Sequence, residues 1–161
     1  PGIEIASGSL GQGLSVAHGI ALGSRLSGFD SKVYVILGDG EIQEGQIWEA
    51  AMSASKFKTN NLIAIIDFNK VAQDNITKDL KDIEPIEAKW KSFGWDVHRI
   101  DGHNMKEIIG VLRKPAHPEN PRVIIADTIK GKGVSFMEGQ TAWHGVAPSK
   151  EDYEKALKEL E

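Results

Sequence analysis

The chain has 161 residues, 40% hydrophobic and 26% charged, and carries a net charge of −4. That balance suits one globular domain with a sizeable core and offers no basic footprint for nucleic acid. Cysteine is absent, which excludes disulfides and thiolate metal sites, and no apolar run reaches the length of a membrane-spanning helix, nor is a signal peptide visible.

The chain opens at Pro1-Gly2 rather than Met and reads as a cut inside a longer protein. Gly8 to Gly13 comes next. The spacing Gly8-x-x-x-x-Gly13 imitates a phosphate loop, but Leu14 stands where lysine is required. Gly11-x-Gly13 begins a dinucleotide fingerprint, but Val16 stands where the third glycine belongs. Nucleotide binding is therefore not supported. Small and apolar residues over 14–26, with Gly19 and Gly23 at i, i+4 spacing, predict a closely packed helix, and His18 on it reads as a packing residue.

Residues 33–37 form an apolar, β-branched run that ends at Gly38-Asp39-Gly40. Residues 41–58 are helix-patterned, with Ile47, Ala51, Ala54 and Phe57 as a core stripe; Trp48, Ala50 and Met52 suggest that more than one face is covered. Glu44 and Glu49 stand out there, because a carboxylate is rarely buried unpaired; facing solvent is the plain alternative. A second apolar run, residues 62–66, stops at Asp67-Phe68-Asn69-Lys70-Val71. Strand, helix and strand make a βαβ unit, whose right-handed crossover brings both polar tips to one sheet edge. Ligands of open α/β sheets bind at that edge.

Asp39 and Asn69 should therefore lie close in space. A carboxylate, an amide oxygen and nearby main-chain carbonyls suit a small hard cation such as magnesium, which also takes phosphate oxygens and water. Gly38 and Gly40 let the backbone approach an anion. Taken alone, Gly-Asp-Gly also fits a simple tight turn.

Residues 71–86 are polar and irregular. A helix follows over 84–93, with Pro85 in its first turn, then a strand over 95–100. Asp101-Gly102-His103-Asn104 turns into a helix over 105–114, with Asn104 as its cap and His103 as a structural turn residue. A proline-rich loop over 115–121 leads to a strand over 122–129, which Gly131-Lys132-Gly133 ends at the same edge. Residues 139–148 show no regular pattern yet carry Trp143 and His144, and long irregular loops are often functional. His144 is the best acid–base candidate, since imidazole titrates near neutrality; a loop histidine bonded to water is the alternative. Ser149 caps a last charged helix.

Gly38-Asp39-Gly40, followed after the crossover helix by Asn69, resembles the thiamine-diphosphate signature. Gly8-Ser9-Leu10-Gly11-Gln12-Gly13, Glu44-Gly45, Asp101-Gly102-His103, Gly131-Lys132-Gly133 and Trp143-His144-Gly145-Val146-Ala147-Pro148 all look like transketolase, in the same order. The resemblance covers essentially the whole chain and is strongest to the separate amino-terminal chain of split transketolases. Ser9 departs from it, standing where transketolases usually have proline.

The resemblance implies an α/β, three-layer α/β/α fold with a mainly parallel sheet, and one thiamine-diphosphate-binding domain over 1–161, incomplete upstream. It implies thiamine diphosphate and Mg²⁺ as cofactors, with Ca²⁺ or Mn²⁺ as substitutes. Asp39, Asn69 and the Val71 carbonyl would ligate the metal. Gly8, Ser9, Leu10, Gly40, Asn69 and His144 would contact the cofactor, with His144 assisting proton transfer. Glu44 and Glu49 would join a network across a dimer interface. The implied reaction moves a two-carbon ketol unit between sugar phosphates of the pentose phosphate pathway, in the cytoplasm. A partner carrying the pyrimidine-binding site and the activating glutamate is required, so the chain alone is expected to be inactive. The rival readings are a deoxyxylulose-phosphate synthase, the α-type chain of a 2-oxoacid dehydrogenase, and a non-catalytic truncated scaffold.

Overall fold

The computed structural model describes residues 2–71 and 81–161. In chain order the elements are α1 (Gln12–Leu26), β1 (Val33–Gly38), a 3-10 turn (Glu41–Gln43), α2 (Gly45–Lys56), β2 (Leu62–Phe68), α3 (Ile86–Ser92), β3 (Asp96–Asp101), α4 (Met105–Leu112), β4 (Arg122–Asp127), a second 3-10 turn (Thr141–Trp143) and α5 (Lys150–Leu160). Among the described residues the strands form one sheet in the order β1-β2-β4-β3, with every neighbouring pair parallel. The predicted α/β architecture and its parallel sheet are thus present. No helix of the described residues is long and apolar enough to cross a membrane.

Strand alternation decides which side chains go where, because successive residues point to opposite faces. Leu62, Ala64 and Ile66 of β2 and Val123 and Ile125 of β4 pack with α1, α2 and α3 in the main core. Ile63 and Ile124 point the other way, onto Val111 of α4. β2 and β4 are therefore covered on both faces, as a near-continuous apolar run requires. β1 differs: Leu37 is buried, but Ile36 is 74% exposed, so one face of this edge strand stays open. The second helical layer is partial, with α4 lying over the β3–β4 side.

Several boundaries shift for identifiable reasons. The predicted 41–58 helix is two pieces: Glu41–Gln43 winds as a 3-10 turn, Glu44 is extended at ψ 132°, and the α-helix begins at Gly45. Phe57 lies just past the helix end and Met52 on its outer side, both exposed, whereas Ala50 is buried and Trp48 packs on the core, so coverage widens past the Ile47 stripe but stops short of Met52. Pro85 follows a cis peptide bond and sits in extended conformation at the cap position, ahead of the first turn of α3. β4 stops at Asp127, short of the predicted end. Asn104 caps α4 as expected, accepting from the N–H groups of Lys106 and Glu107, and Ser149 and Asp152 form a reciprocal capping box on α5. Of the irregular stretch 71–86, residues 72–80 lie outside the described residues.

His18 is buried, as a packing residue should be. Its ring nitrogens lie 3.0 Å from Ser53 Oγ and 3.2 Å from Thr59 Oγ1, tying α1 to α2 and to the turn after it. Trp95 donates from Nε1 to the Ala51 carbonyl at 3.0 Å and packs edge-on against Trp90 at 4.8 Å, which closes the far side of the core.

Candidate functional site

The parallel register pairs Gly38 with Asp67, so the residues that follow each emerge together at the carboxyl edge. The two tips touch directly. Asp39 is only 2% exposed, and its Oδ2 accepts a hydrogen bond from the Lys70 N–H at 2.5 Å. Asn69 Oδ1 accepts from the Val71 N–H at 2.9 Å, an Asx-type turn, while its Nδ2 donates to Asp67 Oδ2 at 2.9 Å. Between them Lys70 adopts φ +65°, a conformation uncommon for a residue with a side chain. Asp39, Asn69 and Val71, three predicted site residues from the two tips, are thus brought together.

A second carboxylate, not singled out from the sequence, joins the glycine loop to this tip. Glu41 Oε1 accepts from the Gly11 N–H at 3.0 Å and Oε2 from the Gly38 N–H at 3.2 Å. Gly11 holds φ +87°, and a Cβ there would meet the Glu44 side chain at 3.1 Å, so loop and turn press close where glycine is required. Gly8, Ser9 and Leu10 just before it are exposed, and Gly40 begins the 3-10 turn in right-handed helical conformation. The signal for Glu41 was its place directly after Gly-Asp-Gly.

The loop after β4 completes the edge. Asp67 Oδ1 accepts from the Thr128 hydroxyl, and the Thr128 N–H donates to the Phe68 carbonyl at 3.3 Å. His103 Nε2 accepts from the Ile129 N–H at 2.8 Å, so this turn histidine is a structural clamp, as read from the sequence. Lys130 Nζ lies 3.2 Å from His144 Nδ1, which brings the exposed His144 ring to the same edge. Glu44 and Glu49 do not join the cluster: both are exposed on the α2 side.

Two cations flank the β2 tip, beside the carboxylates of Asp39, Asp67 and Asp127. Lys70 Nζ and the Arg99 guanidinium lie 5.5 and 5.1 Å from the centre of the Phe68 ring. Arg99 grips Asp127 with two bonds of 2.7 and 2.8 Å, and that pairing holds the Asp127 carboxyl below the usual carboxylate range. No cluster of three or more His, Cys, Asp or Glu side chains suited to a metal occurs among the described residues. The donors at the tips are a carboxylate, an amide oxygen and a main-chain carbonyl. Such an all-oxygen, singly charged set fits a hard divalent cation that draws further ligands from a phosphate and water.

The family described as the transketolase thiamine diphosphate binding domain matches residues 1–160. This chain belongs to that family. Within it, the chain is 42% identical over 160 residues to an apulose-4-phosphate transketolase subunit of Actinobacillus succinogenes, covering 99% of this chain and 58% of that protein. It is 45% identical over 161 residues to the 6-deoxy-6-sulfo-D-fructose transketolase subunit SqwG of a Clostridium species, covering 99% and 58%. The crystal structure of Campylobacter jejuni transketolase superposes with a TM-score of 0.90 at 33% identity, over 98% of this chain and 26% of that one. The chain thus spans 58% of the length of these curated subunits. Membership of the transketolase domain family disfavours the rival thiamine-enzyme and scaffold readings.

Proposed function

We propose that this domain grips the diphosphate end of thiamine diphosphate through Mg²⁺ held by the Asp39 carboxylate, the Asn69 amide oxygen and the Val71 carbonyl. Ca²⁺ or Mn²⁺ would substitute. The observation that carries the reading is the bond from Lys70 N–H to Asp39 Oδ2, which joins the tips of β1 and β2 across 31 residues of sequence. One carboxylate leaves the ion with positive charge to attract an anion, and Gly40 lets the backbone come close to a phosphate oxygen. The Gly8-Ser9-Leu10 loop, fastened to the tip by Glu41, flanks the cofactor.

When bound, thiamine diphosphate supplies the carbanion chemistry of ketol transfer; the protein supplies orientation and electrostatics. His144 faces the reacting end, where its imidazole can hold or pass a proton to a sugar oxygen. Lys130 Nζ lies 3.2 Å from its Nδ1, which leaves Nε2 as the nitrogen for that role. The domain acts with a partner chain that carries the pyrimidine-side site and the activating glutamate, as the relatives' designation as subunits suggests. The donor is a ketose with an anionic group at its far end, a phosphate or, by likeness to the sulfofructose relative, a sulfonate. Glu44, at the cap of α2, and Glu49 on the helix, both exposed, would meet a second copy in a dimer.

Calorimetric titration of Mg²⁺ and thiamine diphosphate into the protein assembled with its partner tests the reading. Asp39→Ala and Asn69→Ala should each weaken binding by more than about a hundredfold, since even groups that merely support a ligand cost roughly ten- to a hundredfold. Unchanged affinity in both variants would rule out the site.

A further inference from the structure

Asp67 takes part in no step described so far, yet it touches the proposed metal ligand on one side and the loop after β4 on the other. We infer that Asp67, anchored by Thr128, is a positioning residue that fixes which end of the Asn69 amide faces the ion; the inference rests on the proposed metal site.

An asparagine side chain has two ends of similar shape and opposite character, an acceptor oxygen and a donor NH₂. Only the oxygen can ligate a cation, so an amide free to turn over would present the wrong end part of the time. Here both ends are committed. Nδ2 donates to Asp67 Oδ2 at 2.9 Å, and Oδ1 accepts from the Val71 N–H at 2.9 Å, keeping a second lone pair for a metal. Turning the amide over would set NH₂ against an N–H and oxygen against a carboxylate, breaking both bonds. Asp67 suits this task because an ionised carboxylate only accepts.

The carboxylate is itself held. Its Oδ1 accepts a hydrogen bond from the Thr128 hydroxyl, and the Thr128 N–H donates to the Phe68 carbonyl, so the loop after β4 is stitched to β2 at Asp67 and at the residue after it. A group that orients a ligand and adds negative charge behind it strengthens the ligand's hold on its metal, and losing such a partner typically costs about ten- to a hundredfold in affinity.

The test uses the full-length protein assembled with its partner chain, thiamine diphosphate at saturation, and Mn²⁺ as the probe, read by electron paramagnetic resonance. Asp67→Ala should weaken Mn²⁺ binding by about ten- to a hundredfold. Asp67→Asn keeps an acceptor for Nδ2 and should recover part of that loss, a rescue that a role in folding alone would not produce. Should Asp67→Ala fail to fold, Thr128→Val decides: it leaves the charge but frees the carboxylate, and a several-fold loss is expected. Unchanged affinity in the folded variants, or equal losses with alanine and asparagine, overturns the orienting role while the metal site stands. Failure of the unmodified assembly to bind Mn²⁺ removes the metal site and the inference together.

Discussion

Lys70 is the residue on which the tip turns. A side chain at φ +65° costs on the order of 1 kcal/mol, and such strain persists only where surrounding bonds over-determine it. Here the Lys70 N–H reaches Asp39 and the next N–H reaches Asn69. Lys70→Pro would forbid the positive φ and delete the donor, and should destabilise the protein by about 3 kcal/mol or more in urea unfolding. A loss under about 1 kcal/mol would mean that the tip does not depend on this bond. His18 gives a residue-scale test of a different kind. Burial pushes its pKa below 6.5. As pH falls through about 6.5, the unfolded chain takes up a proton that the folded imidazole declines, so stability is complete above that value and declines below it, levelling once the folded ring titrates. His18→Gln should flatten this part of the stability–pH curve between about pH 7 and pH 5. Identical slopes in the two proteins would refute it.

At the scale of elements, what was legible in the sequence was what local pattern determines. The β-branched runs of β1 and β2 and the capping residues Asn104 and Ser149 carry their signals within a few residues. The start of α2 did not, because it is decided by bonds from elsewhere. Residues 41–44 have helical composition, yet the Glu41 carboxylate is drawn to Gly11 and Gly38, and the chain must straighten at Glu44 before the helix can begin. Phe57 kept helical spacing but fell beyond the last turn. Asp39 and Asn69 could be found because a parallel crossover dictates where their tips emerge. Asp67 and Thr128 could not, since 61 residues separate them and only the sheet order places β4 beside β2. That junction is tight. A methyl group on Gly102 would come within 2.4 Å of Thr128 Cγ2 and 3.0 Å of the Asp127 carbonyl. Gly102→Ala should therefore push Thr128 off Asp67, costing about 1–3 kcal/mol in thermal or urea unfolding. Wild-type stability would show that the loop yields freely.

On the scale of the whole molecule, three tips from β1, β2 and β4 emerge at one sheet edge, and the β2 tip is bonded to the tip on either side of it. In our proposal this cross-bonded edge holds the cofactor's charged end, leaving orientation and electrostatics as the protein's contribution. The chain spans 58% of its curated subunit relatives, and the opposite, pyrimidine side of the cofactor belongs, in our proposal, to a partner. Assayed alone, the 161-residue chain should show no ketol transfer. Turnover without the partner would contradict that division of labour. The central claim, that the β1 and β2 tips share a divalent ion, is tested most directly by anomalous diffraction from crystals of the assembled enzyme grown with Mn²⁺ and thiamine diphosphate. We predict an anomalous peak about 2.0–2.3 Å from an Asp39 carboxylate oxygen, Asn69 Oδ1 and the Val71 carbonyl oxygen, with diphosphate oxygens completing the shell. An ion bound anywhere else, or cofactor bound with none of these three atoms in reach of it, would contradict the account.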